Sequence, residues 1–183
     1  MDKTFECMSE HAGVARIIER IHGILSCGPG QAFFDGIVTV VAELLGAPCV
    51  LLGRYEGEAR TLQVLSWYRS GFIEHHGTFS IQGTPIERIL DQGHPYACDR
   101  NAWRLFPQDE ALRTWRAECY LGVPLKDHVS GEVLGIVAVY AAEPREFTRT
   151  ECALLELIGS CLAKELERSR REEVVQQLHR KLR

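Results

Sequence analysis

The positions of apolar and polar residues divide the chain into predicted helices and strands, with no internal repeat. Apolar residues at helical spacing mark the helices, and short apolar runs rich in valine and leucine mark the strands. Glycine and proline lie between most of these segments, as expected for turns. The pattern predicts helices over 13–26, 31–46, 84–92, 106–117 and from 148 to the end, and strands over 49–55, 61–68, 77–81, 94–98 and, as a hairpin, 118–140.

Particular residues fix where several predicted helices begin and end. Gly46 follows the second helix as a left-handed cap, since glycine adopts that conformation without steric cost. Thr84 and Glu87 have the spacing of a capping box, in which each side chain accepts a hydrogen bond from the other residue's backbone amide. Thr148 and Glu151 repeat this spacing at the start of the last helix. Both threonines therefore mark helix N-termini.

The hairpin over 118–140 is apolar on both faces, whereas antiparallel strands usually have one solvated face. If its turn pairs Leu125 with Val133, one face is wholly aliphatic and suits packing against helices. The other face carries two tyrosine hydroxyls and the gap left by a glycine, which suits a ligand pocket. The aliphatic face would comprise Leu121, Val123, Leu125, Val137 and Val139, and the second face Tyr120, Gly122, Pro124, Ile136 and Tyr140.

The last predicted helix changes character along its length. Up to Leu166 it carries a stripe of leucine and isoleucine residues that would pack on the domain core. The following "ERSRREE" is wholly polar, and Val175, Leu178 and Leu182 then recur at coiled-coil spacing. Such a helix would span ~50 Å, beyond the reach of one domain, so its end is predicted to pair with a second copy. The chain is thus divided into an extension over 1–12, a domain over 13–166 and a projecting coiled-coil helix over 167–183.

Composition and charge restrict the function classes. Apolar residues make up 45% and charged residues 25% of the 183 residues, a balance typical of one globular domain. The formal net charge of −4 argues against direct binding of nucleic acid, which depends on clustered lysine and arginine. No apolar run approaches the ~20 residues of a membrane span, and the N-terminus lacks a secretory signal. Seven cysteines without C-x-x-C spacing are typical of reduced thiols, so we expect a cytoplasmic protein.

The order of these elements resembles a GAF domain, the small-molecule sensor module of bacterial signalling proteins. The similarity covers about residues 13–170 and rests on "YLGVPLKDHVSGEVLGIVAVY" and "REFTRTECALLELIGSCLAKELER", preceded by "GTPIERIL" and "LFPQDEAL". It implies an α+β, GAF/PAS-like fold with a twisted antiparallel sheet of about five to six strands and helices on both faces. The first, second and last helices would cover one face and form a homodimer bundle. Short helices and loops would roof a ligand cavity on the other face.

The family's ligand-binding signatures indicate which ligands the resemblance disfavours. Cyclic-nucleotide-binding members carry an Asn-Lys pair, but here the single asparagine, Asn101, is followed by Ala102. Bilin-binding members carry a Cys-His pair, and no cysteine of this chain precedes a histidine. No glycine loop follows a strand as a nucleotide fingerprint requires. Cyclic GMP, bilins and ATP are therefore disfavoured, and no motif identifies a ligand or cofactor.

Aromatic and polar residues on the predicted strands and roof segments are the candidate ligand contacts. Aromatic walls with a few hydrogen-bond donors suit a flat or small amphipathic ligand, although aromatic side chains also fill ordinary cores. A metal or haem contact through His75 and His76, or through His94 and Cys98 on one strand face, is a weaker interpretation, because a metal needs more ligands. The candidate ligand contacts are Trp67, Thr84, His94, Tyr96, Trp103, Phe106, Tyr120 and Tyr140.

Three functions are consistent with this sequence pattern. The favoured one is a sensory domain without catalysis that signals through its last helix to an output module: a histidine kinase, a cyclic-dinucleotide enzyme or a transcriptional activator. Whether that module belongs to the same polypeptide is left open. The second is an enzyme resembling the GAF-fold reductases of free methionine sulfoxide, with Cys98 and Cys119 beside the cavity as nucleophile and resolving thiol. The third is a ligand-free dimerisation module whose cavity is filled by side chains.

Overall fold

The computed structural model describes residues 28–182 together with Glu19, His22 and Gly23. The predicted extension over 1–12 lies outside the described residues, as does the predicted helix over 13–26 except at those three positions. The helices are α1 (Gln31–Leu44), α2 (Pro85–Gln92), α3 (Ala102–Leu105), α4 (Glu110–Trp115) and α5 (Arg149–Lys181). The strands are β1 (Cys49–Glu56), β2 (Thr61–Arg69), β3 (Phe72–Glu74), β4 (Thr78–Ser80), β5 (Tyr96–Cys98), β6 (Cys119–Lys126) and β7 (Val133–Ala141).

The strands form one seven-stranded antiparallel sheet in the order β3-β2-β1-β7-β6-β5, with β4 also paired to β2. The predicted α+β class with an antiparallel sheet is therefore confirmed. The additional strand β3 was not predicted because it has three residues and follows a turn in which Ser70 and Gly71 have positive φ. Serine and glycine before it are typical of a turn, so the segment was assigned to the connection after β2.

The two faces of the central hairpin differ as predicted. Leu121 and Val123 belong to the core under α1 and α5, on what we call the helix face. Tyr120, Ile136 and Tyr140 belong to a second core on the opposite face. We call this opposite side the roof face, because α2, α3 and α4 contribute the residues that cover it. Both faces of the hairpin are thus covered, which explains why neither is polar.

The register of the hairpin differs from the predicted one. Leu125 faces Gly135 instead of Val133, and a bulge separates it from Lys126. Because the difference is two residues along β7, each side chain keeps its predicted face. The bulge moves Leu134 onto the helix face, where it joins the core under α5.

The helix α5 is continuous from Arg149 to Lys181 and begins with the predicted capping box between Thr148 and Glu151. Gly159, inside this helix, lies close to the sheet: a Cβ there would meet Val123 Cγ2 at 3.2 Å. This glycine does not interrupt the helix but allows it to approach β6 closely. The buried side chains of its first half are those of Leu155, Ile158, Leu162, Ala163 and Leu166.

Contacts between α5 and the rest of the domain continue beyond Leu166. Glu167 accepts a hydrogen bond from the His128 amide at 3.0 Å. Glu173 accepts hydrogen bonds from both terminal nitrogens of Arg54 on β1, at 3.0–3.2 Å. The helix therefore still contacts its own domain at Glu173, past the predicted domain end at 166.

A polar contact ties α1 to the sheet through Asp35. Its Oδ1 accepts hydrogen bonds from the buried Ser66 hydroxyl at 2.7 Å and from Gln31 Nε2 at 2.8 Å. His75 Nε2 lies 2.9 Å from Oδ2 of the same carboxylate. Asp35 thus joins residues of α1, β2 and the segment after β3.

We expect Asp35→Ala to lower the free energy of unfolding by about 1–3 kcal/mol, because the buried Ser66 hydroxyl loses its acceptor. Urea titration followed by circular dichroism measures the loss. His75→Ala is the matched control: its side chain is 47% exposed, so the expected loss is below about 1 kcal/mol. An equal loss in both variants would contradict the role given to the buried hydroxyl.

Candidate ligand site on the roof face

A hydrogen-bonded cap anchors α2 over the roof face. The Thr84 hydroxyl accepts from the Glu87 amide at 3.4 Å and donates to the Ile81 carbonyl at 2.6 Å. The capping box predicted here is only half formed, because Glu87 accepts from the Gly83 amide, while the Thr84 amide donates to Ile81. The start of α2 is thus tied to the segment that follows β4.

A chain of aromatic rings runs under the roof helices. Tyr120 and Tyr140, on neighbouring strands, meet edge to face with centroids 5.2 Å apart. Tyr96 lies 6.3 Å from Tyr120 and 5.8 Å from Phe106, the second contact again edge to face. Tyr120 and Tyr140 are buried, whereas Tyr96 and Phe106 are partly exposed. The rings therefore lead from the centre of the roof face towards the surface.

The Tyr120 hydroxyl is buried and has no hydrogen-bond partner among the described residues. It lies over Gly122, where a Cβ would be 2.5 Å from the hydroxyl oxygen and 2.7 Å from Ile89 Cδ1. The gap predicted beside Gly122 is therefore filled by Tyr120 itself. Burial, with the charge of Asp109 and the nearby Tyr96, raises the pKa of Tyr120 well above its usual value. This hydroxyl is an O–H donor at neutral pH.

Asp109 is a buried carboxylate that is not among the candidate contacts predicted from the sequence. It caps α4 by accepting from the Leu112 amide at 2.9 Å, and it is 4% exposed. Burial raises the pKa of the Asp109 carboxyl, although its amide hydrogen bonds act in the opposite direction. Burial, then Tyr120 and Asp109, likewise raise the pKa of Tyr140. We call Asp109, Tyr120 and Tyr140 the polar centre.

Nothing in the local sequence distinguishes Asp109 from an ordinary exposed helix cap, because aspartate is a common residue at that position. Its burial depends on the packing of α4 against the sheet. No sequence motif indicates that packing, so the place of Asp109 in the polar centre could not be predicted.

A groove of about 510 Å³ separates α2 from the segment that links α3 to α4. Phe106 lines this groove and also contacts Tyr96, so the groove and the aromatic chain share a wall. Gln108 closes one end against Gly83, where a Cβ would lie 2.1 Å from Gln108 Oε1. The groove thus shares Phe106 with the aromatic chain, and none of the three residues of the polar centre lines it.

The two predicted tryptophan contacts lie on the roof face, but their N–H groups already have partners. Trp67 Nε1 donates to Cys49 Sγ at 3.0 Å. Trp103 Nε1 donates to Glu118 Oε1 at 2.9 Å. Arg69 stacks between Trp67 and Trp115, with its guanidinium carbon 4.9 Å and 4.6 Å from the two ring centroids. Both indole N–H groups are therefore already hydrogen-bonded within the protein.

His94 lies apart from the other predicted contacts. It is exposed and lines a different groove of about 390 Å³, with Lys126, His128 and Glu156 of α5. It also precedes β5, so the prediction that it shares a strand face with Cys98 was wrong. The strand was predicted two residues too long at its start.

The two cysteines proposed for redox chemistry lie on opposite faces of the sheet. Cys98 belongs to the roof-face core and donates to the Arg100 carbonyl at 3.1 Å. Cys119 is buried in the helix-face core, and burial raises the pKa of its thiol to about 11. The prediction that both thiols border the roof cavity was wrong for Cys119. Neighbouring residues of β5 and β6 had suggested proximity, but strand parity separates the side chains.

Metal ligation finds no support in the part of the chain that the structure describes. No group of three or more histidine, cysteine, aspartate or glutamate side chains there is arranged to hold an ion. His75 contacts Asp35, and His76 is exposed. Among the described helices, none is both long and apolar enough to cross a membrane.

Comparisons with known proteins bear on the fold. Residues 29–166 match the family model described as GAF domain. No curated protein matches the chain.

Solved structures resemble the chain at low sequence identity. The GAF domain from Acinetobacter phosphoenolpyruvate-protein phosphotransferase has a TM-score of 0.68 and 11% identity, over 86% of this chain and 97% of that one. The PixJ GAF domain from Thermosynechococcus elongatus, in its blue-light absorbing form, has a TM-score of 0.62 and 21% identity, over 82% of this chain and 92% of that one. Free methionine-R-sulfoxide reductase from Neisseria meningitidis, in complex with its substrate, has a TM-score of 0.66 and 14% identity, over 85% of this chain and 89% of that one. At these identities the likeness concerns the fold alone.

Proposed function

The chain belongs to the GAF domain family, whose members are sensory and regulatory modules, and on this premise we propose that it binds a small molecule on its roof face. It works in the cytoplasm as a homodimer and passes the response through α5 to an output module. A histidine kinase, a cyclic-dinucleotide enzyme and a transcriptional activator are the expected kinds of output. We propose no catalytic step for this chain.

The main support for a bound ligand is the buried Tyr120 hydroxyl, which has no hydrogen-bond partner among the described residues. A buried hydroxyl without a partner is unfavourable by about 1–3 kcal/mol, so a partner that approached it would be bound with that gain. A groove of about 510 Å³ has Phe106 in its wall, and the rings of Phe106 and Tyr96 lead from there towards this hydroxyl. A small molecule that enters between α2 and Phe106 would reach it.

A ligand-free dimerisation module is the second candidate. It is favoured by the packing of Tyr120 into the space over Gly122, since a roof filled by side chains needs no ligand. The two candidates differ in whether the unpaired hydroxyl is used.

Strand β6 supports a route from the roof face to α5. Tyr120 points into the roof face, and Val123, on the same strand, points to the helix face and meets α5 at Gly159. A ligand contact that moves Tyr120 would therefore displace the surface on which α5 lies. A ligand that favours one of two positions of α5 would shift their populations.

Exposed aliphatic side chains on α5 support the homodimer. Leu157 is 65% exposed and Leu178 is 55% exposed. Single exposed leucines are ordinary, but residues repeated at coiled-coil spacing indicate a partner helix. A second copy in parallel orientation would place Leu178 against its equivalent, with Val175 and Leu182 in the same seam.

We expect Leu178→Glu to raise the Kd of the dimer at least ~100-fold, because two carboxylates would be buried against each other in the seam. Sedimentation equilibrium of the whole chain measures this constant. Gln176→Glu adds the same charge outside the seam and is the control, with Kd expected within about threefold of the wild-type value. Equal constants for both variants would remove α5 as the dimer contact.

The orientation of the dimer is tested by a short bismaleimide, which joins nearby thiols. Cys161 is exposed and lies one helical turn after Leu157. Parallel pairing brings the two Cys161 thiols together and gives a crosslinked dimer that Cys161→Ser abolishes. A crosslink that persists in this variant would contradict parallel pairing.

Native mass spectrometry of the freshly purified chain tests the proposed function. A dimer that retains a small molecule supports the sensor. A dimer without any retained molecule favours the ligand-free module. A monomer would contradict both.

A further inference from the structure

We propose that α5 pairs with α5 of a second copy in a single parallel register, in which equivalent residues face each other, and that charged residues in the middle of its exposed side select this register. Helices that are apolar throughout are rejected as partners. The inference rests on the proposed homodimer and specifies its partner. It follows from the spacing and exposure of residues along α5 and from the ion pairs among them.

A stripe of residues runs along the side of α5 that faces away from its own domain. Its members recur in alternating steps of four and three residues, which is the spacing of a coiled-coil seam. Each member is exposed except Arg168, which is partly exposed. None of the side chains that the structure shows buried in α5 belongs to it. We call it the outward stripe, and its members are Leu157, Cys161, Lys164, Arg168, Arg171, Val175, Leu178 and Leu182.

The middle of the outward stripe is charged, whereas its ends are apolar. Lys164, Arg168 and Arg171 occupy consecutive positions of the stripe, and we call them the charged section. Cys161 precedes the charged section and Val175 follows it. A charged residue in a seam lowers stability but fixes the register, because opposite an apolar residue it would lose water without gaining a partner.

Among parallel arrangements of two α5 helices, the unshifted one matches charged positions with charged positions and apolar positions with apolar ones. The next parallel register, shifted by one heptad, would place Arg168 opposite Val175 and Arg171 opposite Leu178. Both guanidinium groups would then be removed from water against aliphatic side chains, which is unfavourable. The charged section therefore favours the unshifted register.

Carboxylates on α5 partly neutralise the charged section within each chain. Arg168 Nε donates to Glu165 Oε2 at 2.8 Å, and Nη1 of the same arginine contacts Glu172. Arg171 Nη2 donates to Glu167 Oε2 at 3.3 Å. Because both arginines are accompanied by carboxylates, the repulsion between two charged sections is reduced.

One of these carboxylates also reaches the second copy in the unshifted parallel pair. In a coiled coil each seam side chain inserts between four residues of the facing helix, and the four around Arg171 include Glu172 of the second copy. The side chains of Arg171 and Glu172 are 73% and 58% exposed, so both can turn towards the seam. In the antiparallel arrangement that matches the charged sections, Arg168 faces itself and Arg171 faces Glu165 of the second copy instead.

Charge reversal at Arg171 and Glu172 tests the register. In homodimers of Arg171→Glu, and likewise of Glu172→Arg, like charges meet across the seam, whereas a dimer of one variant with the other restores opposite charges at both contacts. The two whole-chain variants, one labelled with ¹⁵N, are mixed in equal amounts, and the dimers are weighed by native mass spectrometry. We expect at least about 80% of the dimers to be heterodimers, against the statistical half.

A mixture of Arg180→Glu and Glu156→Arg is the control for this experiment. These substitutions change the charge by the same amounts at exposed positions outside the outward stripe. We expect about half of the dimers in the control mixture to be heterodimers.

A seam without charges tests the rejection of apolar helices. The triple variant Lys164→Leu, Arg168→Leu and Arg171→Leu makes the outward stripe apolar from end to end and leaves the buried side of α5 unchanged. In a mixed dimer with wild type, the three cations of one helix would face leucines. We expect fewer than about 20% of the dimers in an equal mixture to be heterodimers.

The outcomes separate this inference from the function on which it rests. A heterodimer fraction near half in the mixture of Arg171→Glu and Glu172→Arg would overturn the register. Free mixing of wild type with the triple variant would overturn the rejection of apolar helices. The homodimer would stand in both cases, whereas a wild-type chain that stays monomeric would overturn the homodimer together with this inference.

Discussion

Replacing Gly135 by alanine is expected to lower the free energy of unfolding by about 3 kcal/mol or more. A Cβ at this position would lie 2.3 Å from the Gly53 carbonyl oxygen and 3.3 Å from its carbonyl carbon. Both are backbone atoms of β1, the strand paired to β7 at the centre of the sheet. Relief of the clash would require the two strands to separate, because a backbone group cannot rotate away as a side chain can.

Urea unfolding of Gly135→Ala and wild-type protein measures this loss. Gly57→Ala is the control, because its added Cβ would meet only the Tyr55 ring, at an ordinary 3.8 Å. We expect that variant to lie within about 1 kcal/mol of wild type. A Gly135→Ala protein as stable as the control would show that β1 and β7 are further apart in solution.

Replacing Tyr120 by phenylalanine is expected to raise the free energy of unfolding of the ligand-free protein by about 1–3 kcal/mol. The substitution keeps the ring and its contacts with Tyr96 and Tyr140, and removes a buried hydroxyl that has no partner among the described residues. A gain in stability together with weaker ligand binding would mark the hydroxyl as a group kept for function.

Thermal and urea unfolding of Tyr120→Phe, each without added ligand, measure the gain. Tyr68→Phe removes a hydroxyl from a partly exposed tyrosine packed against the helix-face core and is the control, with an expected change within about 0.5 kcal/mol. A loss of stability in Tyr120→Phe would mean that the hydroxyl is hydrogen-bonded in the free protein. That result would also weaken the argument for a ligand at the polar centre.

The sequence predicted the faces of the hairpin better than its register. Val123 and Tyr120 lie on the predicted faces because side chains alternate strictly along a strand. Leu125 pairs with Gly135 instead of Val133, and a two-residue difference leaves that alternation unchanged. The pattern therefore could not reveal the bulge, which depends on how the turn packs.

The sequence predicted the candidate site less completely than the fold, for three physical reasons. His94 was placed on the roof because β5 was drawn too long, and strand ends leave little trace in sequence. Cys119 was placed there because its strand borders the cavity, although its side chain points to the other face. Asp109 was missed because its burial arises from packing between α4 and the sheet.

The close approach of Gly159 to Val123 fixes one point of α5 against the sheet, and a tilt of the helix would be centred on that point. From that contact to Lys181 the helix extends roughly 33 Å, so a tilt of about 5° would move its end by roughly 3 Å. Arg54 hydrogen-bonds Glu173 between that point and the end of the helix, and breaking this pair would be needed for a large tilt. With this contact held in place, the displacement produced by a tilt grows along the helix and is largest at its C-terminal end.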